Sequence, residues 1–140
     1  MANPKEDLYT LFFTRMNEAN KACYYFETIT IAYAMIEDRI NSVLDKTGGN
    51  ADRMISKKLE FLRKRKNVLV RAQFPEDFIK EIEHWIDQRN VLAHEMANSH
   101  KPWTYLDKKA ALLALRAPKL VNEISGAVNR VKNQLKKSKS

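Results

Sequence analysis

Arg89, Asn90 and His94 have the types and spacing that phosphoryl chemistry can use. Helical spacing puts Arg89 on one stripe with Ile82, Trp85, Ile86, Leu92, Ala93 and Met96. The stripe is apolar except at Arg89, and a guanidinium aimed at a core or an interface needs a partner or a wet cleft, because an unpaired buried charge is costly. The plainer reading sends Arg89 to a carboxylate such as Glu95, or to solvent. Asn90 and His94 are four residues apart and therefore neighbours on a helix surface, so the amide is placed to orient the imidazole and fix its tautomer. If the helix loosens near His94, Arg89 and His94 face one cleft. A cation beside an imidazole is a minimal kit for cleaving RNA. The imidazole takes the proton of a 2′-hydroxyl or supplies one to the leaving oxygen, and the guanidinium neutralises the crowded phosphorane.

Arg89-Asn90-x-x-x-His94 resembles the R-x4–6-H motif of the HEPN superfamily, including the polar residue that often follows the arginine. Those are all-α proteins, many of them metal-independent RNA endonucleases of toxin–antitoxin, abortive-infection and other defence systems. The resemblance implies a homodimer whose two motifs line one cleft, and products ending in a 2′,3′-cyclic phosphate and a 5′-hydroxyl. Carried onto this chain, it makes Arg89 the phosphate and transition-state residue, His94 the acid/base and Asn90 the auxiliary. It covers the motif closely and the rest of the chain by helix order and size. One position departs. Some toxins of the family carry, two residues after the histidine, a tyrosine that a partner nucleotidyltransferase modifies; here that residue is Met96. The rival reading is a HEPN-like module without catalysis that binds nucleic acid, a nucleotide or a partner protein. A third is a helical component of a defence complex.

Other chemistries lack their residues. There is no Gly-rich phosphate loop, no HExxH and no nucleophile elbow. None of His84, His94 and His100 has a second histidine three or four residues away, and Cys23 is alone, so the sequence implies neither a disulfide nor a metal or other cofactor. The start MANPKEDLYT lacks a signal-peptide core. The longest apolar stretch, Ile29–Ile36 broken by Thr30, falls short of the roughly 20 residues of a membrane span. These features predict a cytoplasmic protein that does not enter membranes.

The net charge of +8 is uneven. Residues 52–71 carry +6 and residues 130–139 carry +5, leaving −3 for the rest. Such a distribution suggests a polyanionic partner, RNA before an anionic membrane surface. Arg63-Lys64-Arg65-Lys66 is the candidate RNA-binding run, although such runs are usually solvated helix ends. Tyr33, Glu37 and Asn41 share a face. Glu37 is the auxiliary candidate, either pairing with Arg89 in the cleft or, the preferred reading, pairing with a nearby lysine or arginine on a polar face. Trp85 reads as core, whereas Trp103 is open to base stacking.

Helices must position all of these. With 140 residues, 44% of them hydrophobic, and only 3 glycines and 4 prolines, the chain is predicted to be all-α, a small bundle of four to six helices. The expected layout is one domain over 1–135 and a basic, disordered tail over 136–140. Asn3 and Pro4 start the first helix, which breaks near Asn20. The next, 21–45, carries Ile29, Ala32, Ile36, Ile40 and Val43 on one stripe, with Tyr24, Ile31 and Met35 on a second. Thr47-Gly48-Gly49-Asn50 is a turn. A third helix spans 51–67 with Met54, Ile55, Lys58, Leu59 and Leu62 on one face, and a fourth starts at Pro75 and breaks at Ser99–Pro102. The last spans 107–137, kinked or divided by Pro118 near Arg116–Ala117.

Overall fold

The structure, a computed structural model, describes residues 4–49, 54–98 and 100–138, with side chains from Asp7 onward. The proposed Asn3 cap, Asn50 of the turn, the start of the third helix at 51–53, Ser99 and residues 139–140 lie outside the described residues. Six helices follow one another: α1 (Pro4–Lys21), α2 (Tyr25–Lys46), α3 (Ile55–Arg63), α4 (Val68–Gln73), α5 (Glu76–Asn98) and α6 (Trp103–Ser138). Among the described residues there is no strand, and the fold is all-α.

The α1–α2 break falls two residues after Asn20. Cys23 takes the left-handed conformation (φ +64°), and the Tyr24 N–H reaches back to the Ala19 carbonyl at 2.8 Å. This is the usual way to end a helix, with cysteine where glycine is commoner. The α2 end uses glycine instead, with φ +139° at Gly48 and +85° at Gly49.

The third helix is shorter than its sequence pattern. It stops at Arg63, because Asn67 caps a separate helix: its Oδ1 accepts from the N–H groups of Leu69 (2.9 Å) and Val70 (3.3 Å). The run Lys64–Lys66 is therefore a connector. The last helix starts four residues early, with the Pro102 carbonyl accepting from Tyr105 and Leu106, and takes in Lys136 and Lys137 of the basic tail.

Pro118 does not divide α6. A proline removes the N–H that would bond the carbonyl four residues back, here that of Ala114. Asn20 Nδ2 donates to that carbonyl at 3.3 Å, and Trp85 Nε1 donates to the adjacent Leu113 carbonyl at 3.1 Å. The Ala114 carbonyl thus has a partner other than the missing helical N–H, and the helix runs on.

Packing separates two compact units. One joins Met1–Met35 to Trp85–Val121, and the other joins Ile36–His84 to Asn122–Ser140. In the first, Met16, Ile29, Ala32, Trp85, Ile86 and Leu106 are buried with the small face Ala110, Ala114 and Ala117 of α6. In the second, Ile40, Val43, Leu59, Leu62, Ile79 and Ile82 are buried with Ile124, Val128 and Val131. The Ile29–Val43 stripe of α2 is buried throughout, whereas Tyr24 of the second stripe precedes the helix and is exposed. Met54 is also exposed, so the buried face of α3 begins at Ile55.

Candidate nucleic-acid site

The motif lies in the second half of α5, within the first unit. The apolar stripe that leads to it is buried at Ile82, Trp85, Ile86 and Leu92, but Ala93 and Met96 beyond are exposed. Arg89 is half-buried at this transition. Its Cζ stands 4.1 Å from the centroid of the Tyr33 ring, and Nη1 donates to Asn90 Oδ1 at 2.9 Å. Among the described residues it makes no ion pair with a carboxylate. A guanidinium over an aromatic face keeps its charge while its direction is fixed.

Asn90 therefore orients Arg89 rather than the imidazole. His94 is exposed, and the Asn98 side-chain amide lies 3.3 Å from its Nδ1, with donor and acceptor set by the ring tautomer. Asn98 is four residues from His94, so the spacing rule that singled out Asn90 applies equally to it on the other side.

The helix does not loosen at His94; α5 is continuous to Asn98. Five helical residues turn through 500°, so the Arg89 and His94 side chains leave the axis about 140° apart. One chain does not bring them onto one face. Glu95 pairs elsewhere: its Oε1 accepts from Lys109 Nζ at 2.8 Å, and Lys109 and Lys101 each stand 5.0 Å from the Tyr105 ring centroid. The Lys109 hydrogen bond holds the Glu95 carboxyl below the usual range, and Glu95, followed by Tyr105, raises the Lys109 ammonium.

The basic run belongs to the second unit, and its four members have different surroundings. Arg63 is ringed by carboxylates: Nε donates to both Glu76 oxygens (2.9 and 2.8 Å), Nη1 to Glu60 (2.5 Å), and Nη2 to Glu83. The Glu76 and Glu83 bonds raise its pKa, and Arg63 in turn lowers that of Glu76. Arg65 closes the end of α2. It donates to the carbonyls of Leu44 (3.1 Å) and Gly49 (2.5 Å) and to Thr47 Oγ1 (3.2 Å). Carbonyls at a helix C-terminus lack intrahelical partners, and a cation there also meets the negative end of the dipole. Lys64 and Lys66 project from the connector, Lys64 with a loose 3.9 Å approach to Glu60. Glu37 lies 3.9 Å from the buried Lys58 ammonium, the lysine pairing that its polar face predicted.

Compared with protein-family models, curated proteins and solved structures, the chain matches none of them. The functional reading therefore rests on this geometry and on the motif.

Trp103 opens α6, is 62% exposed and leans on Phe26 with ring centroids 5.4 Å apart. His84 and His100 are exposed. No group of three or more His, Cys, Asp or Glu among the described residues is arranged to hold a metal ion, and no described helix is long and apolar enough to cross a membrane.

Proposed function

We propose that the chain is an RNA endonuclease of the HEPN type, working without a metal as a cytoplasmic homodimer. The observation that carries this reading is Arg89: a guanidinium stacked on Tyr33, tethered by Asn90 and, among the described residues, bonded to no carboxylate. Such a cation is oriented in advance for a phosphate. His94 supplies the second function: to take or give a proton through Nε2 its ring carries a proton on Nδ1, beside the Asn98 side-chain amide, which then presents its oxygen. Because the two side chains diverge around α5, the composite site takes motifs from two protomers. Exposed Val91, Ala93 and Met96 give the surface around His94 an apolar part for a second copy to cover.

In the reaction, His94 of one protomer removes the proton from a 2′-hydroxyl. The freed oxygen attacks the adjacent phosphorus, and the bond from phosphorus to the 5′-oxygen breaks. The protonated His94 of the other protomer gives its proton to that leaving oxygen, yielding a 2′,3′-cyclic phosphate and a 5′-hydroxyl. Arg89 takes the charge that builds on the phosphorane. In its biological setting this would be a toxin or phage-defence effector restrained by an antitoxin or operon partner. The non-catalytic alternative, a module that binds RNA, is favoured by one feature, the 140° divergence of Arg89 and His94 within a chain.

The test is cleavage of RNA in excess EDTA by wild type, Arg89→Ala and His94→Ala. Loss of cleavage in both variants, each still folded, supports the assignment. If both variants cut as well as wild type, the assignment fails. Salt-sensitive binding with no cleavage under any condition moves the protein to the non-catalytic reading.

A further inference from the structure

A cleft of about 390 Å³ in the second unit lies apart in sequence from the motif, and the nuclease reading does not use it. That volume falls in the lower part of the range for small-molecule sites. One wall is α6, with Glu123, Gly126 and Arg130; the other is the end of α4 and the start of α5, with Gln73, Pro75 and Phe78.

Arg130 is held in place at one edge. Its Nε donates to Gln73 Oε1 at 2.6 Å, and a β-carbon at position 126 would stand 3.2 Å from Nη1, so the guanidinium lies closely over Gly126. Gln73 takes Nε, and among the described residues Nη1 and Nη2 have no hydrogen-bond partner. That distal edge is the one that receives a carboxylate with two parallel bonds. The opposite charge lines the same cleft. Glu123 is seven residues back on α6, two helical turns, and therefore on the face of Arg130. A carboxylate has about four acceptor positions, so Glu123 accommodates an ammonium besides its existing partner. The lining also includes Ala72 and Asn122, and its larger apolar part is Pro75 and the half-buried Phe78, which stacks on Phe74 with centroids 5.7 Å apart.

A cation, an anion and an aromatic wall in one small cleft are complementary to a molecule with the reverse pattern. We propose that this cleft binds a free α-amino acid with an apolar or aromatic side chain. Arg130 takes the carboxylate, Glu123 the ammonium, and Phe78 with Pro75 the side chain. Gln73 is a positioning residue that acts through Arg130. A nucleotide or inorganic phosphate would satisfy Arg130 but would set its charge against Glu123, with no cation to use that carboxylate.

The experiment is a titration of the full chain, followed by protein NMR shifts around Arg130, with four probes: L-phenylalanine, 3-phenylpropionate, 2-phenylethylamine and glycine. L-phenylalanine should saturate the site and bind about 10-fold or more tighter than each of the others, which lack the ammonium, the carboxylate or the side chain. Arg130→Gln should cost L-phenylalanine about 10-fold or more. Glu123→Gln should weaken L-phenylalanine similarly while leaving 3-phenylpropionate unchanged or tighter, a reversal that general damage to the fold does not produce. Gly126→Ala provides a folded control, because alanine is the better helix former and its methyl group crowds Arg130; its thermal midpoint should hold or rise while L-phenylalanine weakens. Equal affinity for L-phenylalanine and 3-phenylpropionate, undiminished binding in Arg130→Gln, or no saturable binding to the folded protein overturns the proposal.

Discussion

The Arg89 guanidinium stands over the ring of Tyr33, 4.1 Å from its centroid. The two residues come from different helices, α5 and α2, so this contact fixes where the only charged side chain of the motif's apolar stripe points. A cation over an exposed or half-buried ring is worth about 0.5–1 kcal/mol. Tyr33→Leu should therefore weaken RNA binding or cleavage by about 2–5-fold, with Tyr33→Phe close to wild type because the ring is kept. The comparison to make is kcat and KM for both variants beside their thermal midpoints. Equal losses in the two variants would mean that the hydroxyl, and not the ring, positions Arg89.

Asn20 and Pro118 should be energetically coupled. The Ala114 carbonyl, deprived of its helical N–H by Pro118, accepts from the Asn20 amide. Asn20→Ala leaves that carbonyl unsatisfied and should cost about 1–3 kcal/mol. In a Pro118→Ala background the helix supplies its own N–H and the same substitution should cost less. A double-mutant cycle by urea denaturation measures the difference, and strict additivity rules the coupling out.

Arg63 links three acids on two helices, so removing it both breaks pairs and leaves like charges together. Arg63→Gln should lower stability by about 1–2 kcal/mol, allowing for the screening of partly exposed pairs. The pH dependence has a defined sign. The folded pKa of Glu76 lies below its usual value of 4.5, so its contribution is fully present above that pH and is lost as pH falls through the lower folded value. Glu95 behaves likewise through Lys109. Lys109, raised above 10.5, contributes fully below that value and loses its contribution as pH rises through the folded pKa. Denaturation midpoints followed through the acid range should fall in wild type and fall less steeply in Arg63→Gln. Parallel curves would remove Glu76 from the account.

If the chain binds RNA as proposed, the basic run should separate into RNA-facing and structural members. Lys64→Ala with Lys66→Ala should lower the slope of log binding constant against log salt by about 0.7 for each lost contact to single-stranded RNA, with little change in stability. Arg65→Ala should instead loosen the α2 end, because hydrogen bonds from a charged donor to the Leu44 and Gly49 carbonyls contribute about 1.5–3 kcal/mol in all-buried settings and less when half-exposed. If the arginine variants, still folded, change the slope and the lysine pair does not, the run contacts RNA through its arginines.

The sequence by itself determined the all-α class, the helix order and much of the core, because these follow from local rules. The stripe from Ile29 to Val43 repeats at the helical period, Gly48 and Gly49 mark a turn, and Pro75 starts a helix. The short helix α4 was the local element its pattern did not reveal, since Asn67 is a cap only when its side chain meets the N–H groups of Leu69 and Val70. At the candidate site, the sequence supplied Arg89, Asn90 and His94 as neighbours along the chain. Only tertiary structure decided that Arg89 rests on Tyr33, that the helix stays intact past His94, that Arg63 and Arg65 are engaged internally while Lys64 and Lys66 project, and that Asn20 satisfies the carbonyl left by Pro118. Hydrophobic period is a property of neighbouring residues. The partner of a long polar side chain depends on which distant segment folding brings within about 3 Å of it, and that distance has no local signature.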